Sequence, residues 1–343
     1  MSEVAVRSVG LVTSLGLDAA ATCAALRASV TNPSSTRFRG HDSLWITGHQ
    51  VQLEVPWVGV AKLAKMATLA ARECLAGDPN LVGDDEIPVL LCTAEQQRPC
   101  RLEGLDERLF DELRMVLAVR VSSRHSAIVP LGRIAALAAL DQARRLIIHQ
   151  GCERVLIVAA DGLLSWPTLQ HYLDLDRVLG EQNSNGFIPG EGAGALLITV
   201  ARPSDVLHCI GIGSGSEPAP LMSGAPLRAD GLTAAIRHAM RESGLAIDAL
   251  DFIIADLSGE QYFFKEAALA RSRALRGLLR SLDLWHPAEG IGEAGALAGV
   301  ATIAAAWTAV RKGYASGPRM LVHGSDDASG RFAAVFCQPE AHE

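Results

Sequence analysis

Short apolar runs alternate along this chain with longer alanine-rich stretches. The short runs are rich in Val, Ile and Leu, which is typical of strands, and they cover residues 4–12, 87–93, 154–161, 194–201, 207–215, 252–258, 319–325 and 332–337. The longer stretches predict helices over 17–29, 61–76, 105–118, 131–150, 230–243, 261–282 and 293–313. Strands that alternate with helices of this length predict an α/β fold with largely parallel strands, buried on both faces.

Two of the predicted helices lack a polar stripe. The stretches 131–143 and 293–309 carry Ala, Leu, Ile and Val nearly all round. A helix of this kind is usually buried between layers and does not lie on a surface. A length of 343 residues suits two domains or one large duplicated one. One such helix in each half therefore predicts a duplicated fold with a helical layer between two sheets.

Composition and charge exclude several classes of function. Apolar residues make up 49% of the chain and charged residues 20%, as in a well-cored soluble protein. The net charge is −7 and no basic block stands out, so we expect no nucleic-acid partner. No signal peptide and no apolar run of about 18 residues is visible, so we expect no membrane span and a cytoplasmic location.

Cysteine and histidine usage gives no sign of a metal or a cofactor. The seven cysteines are scattered without a CxxC pair, which predicts reduced thiols. The ten histidines are dispersed, without HxH or HExxH spacing. We therefore expect neither a metal site nor a cofactor.

One glycine-rich segment carries a more specific signal. GFIPGEGAGALLI (186–198) resembles the sequence around the GEGA turn of β-ketoacyl synthases, members of the thiolase-like superfamily. Three other segments resemble this family in the same order along the chain, namely VAVRSVGLVTSLGLDAAATCAALRAS (4–29), GCERVLIVAADGLL (151–164) and GIGEAGALAGVATIAAA (290–306). The resemblance implies a five-layer αβαβα sandwich of two similar halves, here 1–205 and 206–343, that is normally a dimer.

The resemblance also gives the GEGA segment a structural role. Gly190 and Gly192 would let the backbone pass close beneath the site. Glu191 would make structural hydrogen bonds at the turn. The alternative is that Glu191 is a catalytic acid, but no second carboxylate lies near it in the sequence.

In the family, a cysteine at the start of the buried helix of the first half accepts the acyl chain, and two histidines from the second half assist. This chain has no cysteine between Cys100 and Cys152. Counting back from GCERVLIV (151–158) assigns the nucleophile position to Arg133. The resemblance assigns the histidine positions to Asp256 and Glu293.

Three other residues are alternative nucleophiles. Ser126 is the only hydroxyl just before the predicted helix at 131–150. Cys100 and Cys152 have no histidine close by in the expected local structure, so both are more simply structural or surface thiols.

We expect Arg133, Asp256 and Glu293 to form a buried charge cluster that plugs the former acyl pocket. The alternative hypothesis is that the two close carboxylates of Asp256 and Glu293 carry out acid–base catalysis. The resemblance then implies a non-catalytic thiolase-fold protein that acts by binding another protein.

Three functions remain open. DLSGE (256–260) resembles a DLNGE-like turn of ketosynthase-like proteins that accompany bacterial type VI secretion effectors, which favours an adaptor or chaperone. A partner subunit of an active ketosynthase, like a chain-length factor, is the second, with a ketosynthase or acyl carrier protein as its partner. The third is an acyltransferase or hydrolase with a relocated active site. A homodimer is expected from the family.

Overall fold

The computed structural model describes residues 3–81, 85–277 and 280–339. Its strands are β1 (Val4–Val12), β2 (Ser34–Arg39), β3 (Trp45–Gly48), β4 (Glu86–Ile87), β5 (Val89–Cys92), β6 (Arg120–Val121), β7 (Ala127–Val129), β8 (Arg154–Gly162), β9 (Glu191–Val200), β10 (Leu207–Ser216), β11 (Phe252–Ala255), β12 (Asp283–Trp285), β13 (Arg319–Ser325) and β14 (Gly330–Cys337). Its α-helices are α1 (Ala19–Arg27), α2 (Gly59–Ala76), α3 (Leu105–Val116), α4 (Ala135–Gln150), α5 (Trp166–Asp174), α6 (Asp230–Ser243), α7 (Gln261–Ala274), α8 (Ala288–Ile291) and α9 (Leu297–Lys312).

Ten of these strands form one sheet with the order β12-β11-β13-β14-β10-β1-β9-β8-β5-β7. The strands β10 to β14 and the strands β1, β5, β7, β8 and β9 are arranged in the same way. In both groups three parallel strands are followed by two antiparallel ones. A short antiparallel ladder between β1 and β10 joins the groups. The strands are therefore less uniformly parallel than the sequence predicted, and the two expected sheets are joined into one.

Helices and strand groups alternate in five layers. The apolar helices α4 and α9 pack between the two strand groups, in a core that includes Leu140, Val300, Leu196 and Val322. Helices α2 and α3 cover the outer face of the first group. Helix α6 and the apolar side of α7 cover the outer face of the second. The α/β thiolase-like sandwich predicted from the sequence is confirmed, whereas the division into halves at residue 205 stays a prediction.

The longest apolar segments were located correctly and the short ones were missed. Strand β13 and helix α6 have the predicted bounds. The β2–β3 hairpin, helix α5 and the three-residue strands β7 and β12 had no periodic signal long enough to read. The helix predicted over 261–282 ends at Ala274, and residues 278 and 279 within that range lie outside the described residues. Among the described helices, none is both long and apolar enough to cross a membrane.

Candidate functional site

A tight turn brings Arg133 into the interior at the start of α4. Gly132 has a positive φ of 53°, and its N–H donates to the carbonyl of Thr93 at 3.0 Å. This positive φ favours glycine, and a Cβ at Gly132 would also lie 2.3 Å from Oε2 of Glu95. The following 3₁₀ turn, Gly132–Ile134, leads directly into α4. Arg133 is only 7% exposed as a result.

The structure brings Arg133, Asp256 and Glu293 together. The Nε atom of Arg133 lies 3.4 Å from Oδ2 of Asp256 and 3.4 Å from Oε2 of Glu293. Its Nη2 donates to the backbone carbonyl of Asp256 at 3.0 Å, and its guanidinium carbon lies 4.1 Å from the ring centre of Phe263. Asp256 directly follows β11, and Glu293 lies between α8 and α9. Three segments that are distant in sequence therefore meet at one buried point.

Both carboxylates have further partners. Oδ2 of Asp256 accepts the N–H of Ser325 at 3.0 Å. Glu293 accepts the hydroxyl of Ser258 at 2.6 Å and the N–H of Gly295 at 3.0 Å. Burial raises the pKa of Glu293, although Arg133 opposes the shift. Burial acts to lower the pKa of Arg133, but the carboxylates of Glu293 and Asp256 outweigh it, so this pKa is raised and the guanidinium stays charged.

Two more buried arginines, not identified from the sequence, lie at the same site. Arg177 donates to both oxygens of Glu260 at 2.7 and 2.8 Å and to both oxygens of Asp327 at 2.6 and 3.0 Å. Arg98 donates to Asp161 at 2.6 Å and to both oxygens of Glu95 at 2.9 and 2.6 Å. Bidentate pairs of this kind fix the geometry of both partners.

Carboxylates outnumber guanidiniums in this region. The fully buried Arg331 adds a fourth guanidinium, 2.7 Å from Glu266 and 3.3 Å from Asp326. Among the described residues that form these ion pairs, the guanidiniums are those of Arg98, Arg133, Arg177 and Arg331, and the carboxylates are those of Glu95, Asp161, Asp256, Glu260, Glu266, Glu293, Asp326 and Asp327. Four guanidiniums and eight carboxylates give this set of residues a formal charge of −4. Burial, reinforced by neighbouring Asp327, raises the pKa of Asp326 to about 6.

An open cleft of about 570 Å³ lies above these charges. The side chains of Arg98, Arg133, Arg177 and Glu293 line it, and its apolar wall includes Leu131, Leu163, Leu175 and Phe187. Arg133 and Glu293 are therefore part of the lining and do not fill the cleft, contrary to the expected plug. The volume lies in the range of small-molecule sites.

Comparison with known proteins supports the fold. No protein-family model and no curated protein sequence matches the chain. The solved ketosynthase/chain length factor of ishigamide matches with a TM-score of 0.81 and 16% identity, covering 98% of this chain and 99% of the other. A type II PKS ketosynthase in complex with its acyl-carrier protein and bound to the hexaketide matches with a TM-score of 0.80 and 15% identity, over 98% and 99% of the two chains. A ketosynthase in complex with its chain length factor from Xenorhabdus doucetiae matches with a TM-score of 0.72 and 12% identity, over 98% of each chain.

This chain has the ketosynthase fold. At these identities the likeness establishes the fold alone. Within that fold, the GEGA segment enters strand β9 and is not itself the turn that the sequence suggested, because Glu191 already pairs with Gly162 of β8. Oε1 of Glu191 accepts the N–H of Val51 at 2.9 Å and forms an ion pair with Lys62. These contacts agree with a structural role.

The two glycines beside Glu191 accommodate close backbone packing in the ketosynthase fold. A Cβ at Gly190 would lie 2.4 Å from the carbonyl of Ile291. A Cβ at Gly192 would lie 2.6 Å from Leu297 and 2.6 Å from the carbonyl of Val12. Real Cβ contacts are not that short, so larger side chains would push α8 and α9 away from the sheet.

The alternative nucleophiles have other environments. Oγ of Ser126 accepts the N–H of Val89 at 2.9 Å, which ties it to the neighbouring strand. Sγ of Cys152 lies 3.8 Å from Nδ1 of His125, so the expectation that no histidine is within reach of this thiol was wrong. Burial nevertheless raises the pKa of Cys152, which keeps the thiol protonated. Cys100 is exposed, and it lines a smaller cavity together with Glu191. No three His, Cys, Asp or Glu side chains within the described ranges are arranged to hold a metal ion.

Proposed function

We propose that the chain is a non-catalytic relative of ketosynthases that acts as the partner subunit of an active ketosynthase, in the manner of a chain length factor. The observation that carries this proposal is the buried guanidinium of Arg133 at the start of α4, paired with Asp256 and Glu293. The sequence resemblance assigns the nucleophile and the two histidines to these three positions. An arginine cannot attack an acyl thioester, and the two carboxylates would disfavour a thiolate beside them.

The cysteines support the same proposal. Burial is the first cause of a raised pKa at six of the seven thiols, namely Cys23, Cys74, Cys92, Cys152, Cys209 and Cys337. A nucleophilic cysteine needs a lowered pKa and access to solvent. The seventh thiol, that of Cys100, is exposed, but it lines a different cavity from Arg133.

The similar structures favour this partner over a secretion effector. Two of those named above are a ketosynthase/chain length factor and a ketosynthase in complex with its chain length factor, and none of the three is a secretion protein. The DLSGE segment suggested an adaptor, but three of its side chains are committed internally: Asp256 to Arg133, Ser258 to Glu293 and Glu260 to Arg177. Because these three side chains make contacts inside the protein, the DLSGE segment is weaker evidence for an external partner. The proposed heterodimer would take the place of the expected homodimer.

The test combines capture with reconstitution. The tagged chain is expressed at its native level in its own cell, and the proteins that co-purify in 1:1 ratio are identified, with the tag alone as control. We expect a ketosynthase with a cysteine nucleophile. Its condensation activity, measured with malonyl-loaded acyl carrier protein, should require this chain. The chain alone should release no CO₂.

Three outcomes would overturn the proposal. The first is turnover by the chain alone, which would support an enzyme that uses Glu293 and Asp256 as an acid–base pair. A stoichiometric secretion effector without a ketosynthase would support the adaptor function. A homodimer that neither binds a ketosynthase nor changes its products would leave a purely structural role.

A further inference from the structure

A separate cavity of about 190 Å³ lies under helix α7, on the outer face of the second strand group. Apolar residues of α7 and of strands β11, β12 and β13 form most of its wall, among them Ala267, Ile253, Leu284 and Leu321. Phe264 and Arg271 also line it and are exposed, so the cavity opens to solvent beside α7. Among the described residues, those that line it are all different from those that line the cleft above Arg133.

A histidine occupies a core position in the wall of this cavity. On β13, Met320 and Val322 belong to the central core around α4 and α9, whereas Leu321 packs on the outer face. Side chains alternate along a strand, so His323 faces the same outer side as Leu321. His323 lines the cavity and is only 4% exposed. A polar side chain therefore takes a position that suits an apolar one.

The imidazole of His323 has an unsatisfied nitrogen. Its Nδ1 atom is buried and makes no hydrogen bond to any residue that the structure describes. Burial lowers the pKa of His323, although the carboxylate of Asp256 opposes the shift, so the ring is neutral at pH 7. A buried polar atom without a partner is costly, since buried polar groups are normally satisfied. A polar group on a bound molecule would satisfy it.

The size and polarity of the cavity indicate the kind of molecule. Apolar cavities of about 150 Å³ hold benzene, and this cavity is somewhat larger. A buried water needs about two to four polar partners, whereas the described wall, apart from the exposed Arg271, offers His323 as its polar side chain. A hydroxyl group both donates and accepts, so it pairs with Nδ1 in either tautomer of the neutral ring.

We propose that this cavity binds a small aromatic alcohol of the size of phenol, with its hydroxyl group on Nδ1 of His323. The aromatic ring would lie between α7 and the sheet, against Ala267 and Leu321. Binding is non-covalent and no chemical step is implied. The inference does not depend on the proposed partner subunit, because the chain alone carries every group that it uses.

The test is a titration of the purified full chain with two molecules of one shape, phenol and toluene, measured by calorimetry at pH 7. His323→Leu removes the nitrogen and keeps an apolar side chain in the wall. It should weaken phenol by at least about five-fold, since the hydroxyl then loses its hydrogen bond inside the cavity. It should not weaken toluene, which has no hydroxyl. The variant should fold, because Nδ1 makes no hydrogen bond that the change would break.

Two further variants locate the site. Ala267→Leu adds volume inside the cavity and leaves His323 in place, so it should remove the binding of both probes. His238→Leu is the control, because it removes an imidazole from an exposed position on α6 that does not line the cavity, and it should leave both affinities unchanged. Circular dichroism establishes that each variant is folded.

Any of three results would overturn the inference. Folded His323→Leu could bind phenol as tightly as the unaltered chain does. Folded Ala267→Leu could retain the affinity for phenol, which would place the binding elsewhere. The unaltered chain could also give no binding signal with millimolar phenol.

Discussion

The Nε atom of Arg133 lies 3.4 Å from Oε2 of Glu293 and makes no hydrogen bond, although it is buried. Asp256 is at the same distance from that nitrogen. The attraction is therefore mainly electrostatic, between one cation and two anions whose side chains are all largely buried. Each partner depends on the others, because a buried charge without its counter-charge is costly.

Replacing Arg133 by alanine should destabilise the protein strongly. The change leaves Asp256 and Glu293 buried without their cation, which typically costs about 3–5 kcal/mol of unfolding free energy. Urea denaturation at pH 7 measures the loss. The control is Arg114→Ala, because Arg114 and its partner Asp111 are both 62% exposed, and we expect a change within about 1 kcal/mol. An Arg133→Ala protein as stable as this control would contradict the buried charge cluster.

A cysteine in place of Arg133 should be a poor nucleophile. The thiol of Arg133→Cys would face the carboxylates of Asp256 and Glu293, and nearby negative charge raises a thiol pKa above its ordinary value of about 8.5. Alkylation rates against pH, followed by peptide mass spectrometry, report that pKa. The background carries Cys100→Ser, since Cys100 is exposed. A pKa clearly below the ordinary value would show that the site stabilises a thiolate. That result would contradict the proposal that the chain is non-catalytic.

The raised pKa of Asp326 predicts a dependence of stability on pH. Its pKa of about 6 in the folded chain exceeds the value of about 3.9 for an unfolded aspartate. Between these values the folded state binds more protons than the unfolded state, so this group makes stability fall as pH rises from about 4 to about 6. Asp326→Asn removes the ionisation. It should raise the free energy of unfolding at pH 7 by up to about 2–3 kcal/mol and leave it little changed at pH 4.

Urea denaturation of Asp326→Asn at several pH values checks this prediction. The asparagine keeps the oxygen that accepts the N–H of Gly330 at 2.8 Å, and Arg331 keeps its pair with Glu266. Asp248→Asn is the control, because Asp248 is exposed, and it should show no comparable gain. A difference that stays constant from pH 4 to pH 7 would mean that the ionisation of Asp326 is not the cause.

The layered arrangement of the fold could be predicted from the sequence, whereas most of the charged residues around the cleft could not. Helices α4 and α9 could be recognised as central because a helix without a polar stripe has to be buried on all sides. The convergence of Asp256 and Glu293 on Arg133 followed from the resemblance, which assigned all three to one site. Arg98 and Arg177 offered no such signal, since an isolated arginine in a loop is most often exposed.

One of the missed charges lay in a segment that the sequence had already singled out. Glu260 ends the DLSGE segment, whereas Asp327 lies in the loop that joins β13 to β14. Both carboxylates bind Arg177, from which they are 83 and 150 residues away in the chain. The resemblance could single out the DLSGE segment, but it could not show which distant cation its glutamate binds.

Glu191 should matter for stability and not for catalysis. Glu191→Gln weakens the ion pair with Lys62 and leaves a weaker acceptor for the N–H of Val51. We expect a loss of about 1–3 kcal/mol of unfolding free energy, because the residue is buried and the lost contacts are charge-assisted. The exposed Glu181→Gln serves as control and should change little. A Glu191→Gln protein of unaltered stability that loses a measurable turnover would restore the catalytic-acid hypothesis.

The close approach at Gly190 links the glycine-rich segment to the charge cluster. The N–H of Gly190 donates to the carbonyl of Glu293 at 2.8 Å, and a Cβ at this position would lie 2.4 Å from the carbonyl of Ile291. Gly190→Ala should therefore displace the segment that carries Glu293 and cost at least about 1–3 kcal/mol. Gly180→Ala is the matched control, because nothing lies within 4 Å of the added methyl group and the φ of Gly180 is not positive. Urea denaturation compares the stability of the two variants.

A double variant tests whether Gly190 and the charge cluster are coupled. The loss of stability caused by Gly190→Ala should be smaller when Arg133→Ala is already present, since the two changes act on the same contacts. Additive losses would mean that Gly190 and the charge cluster are independent.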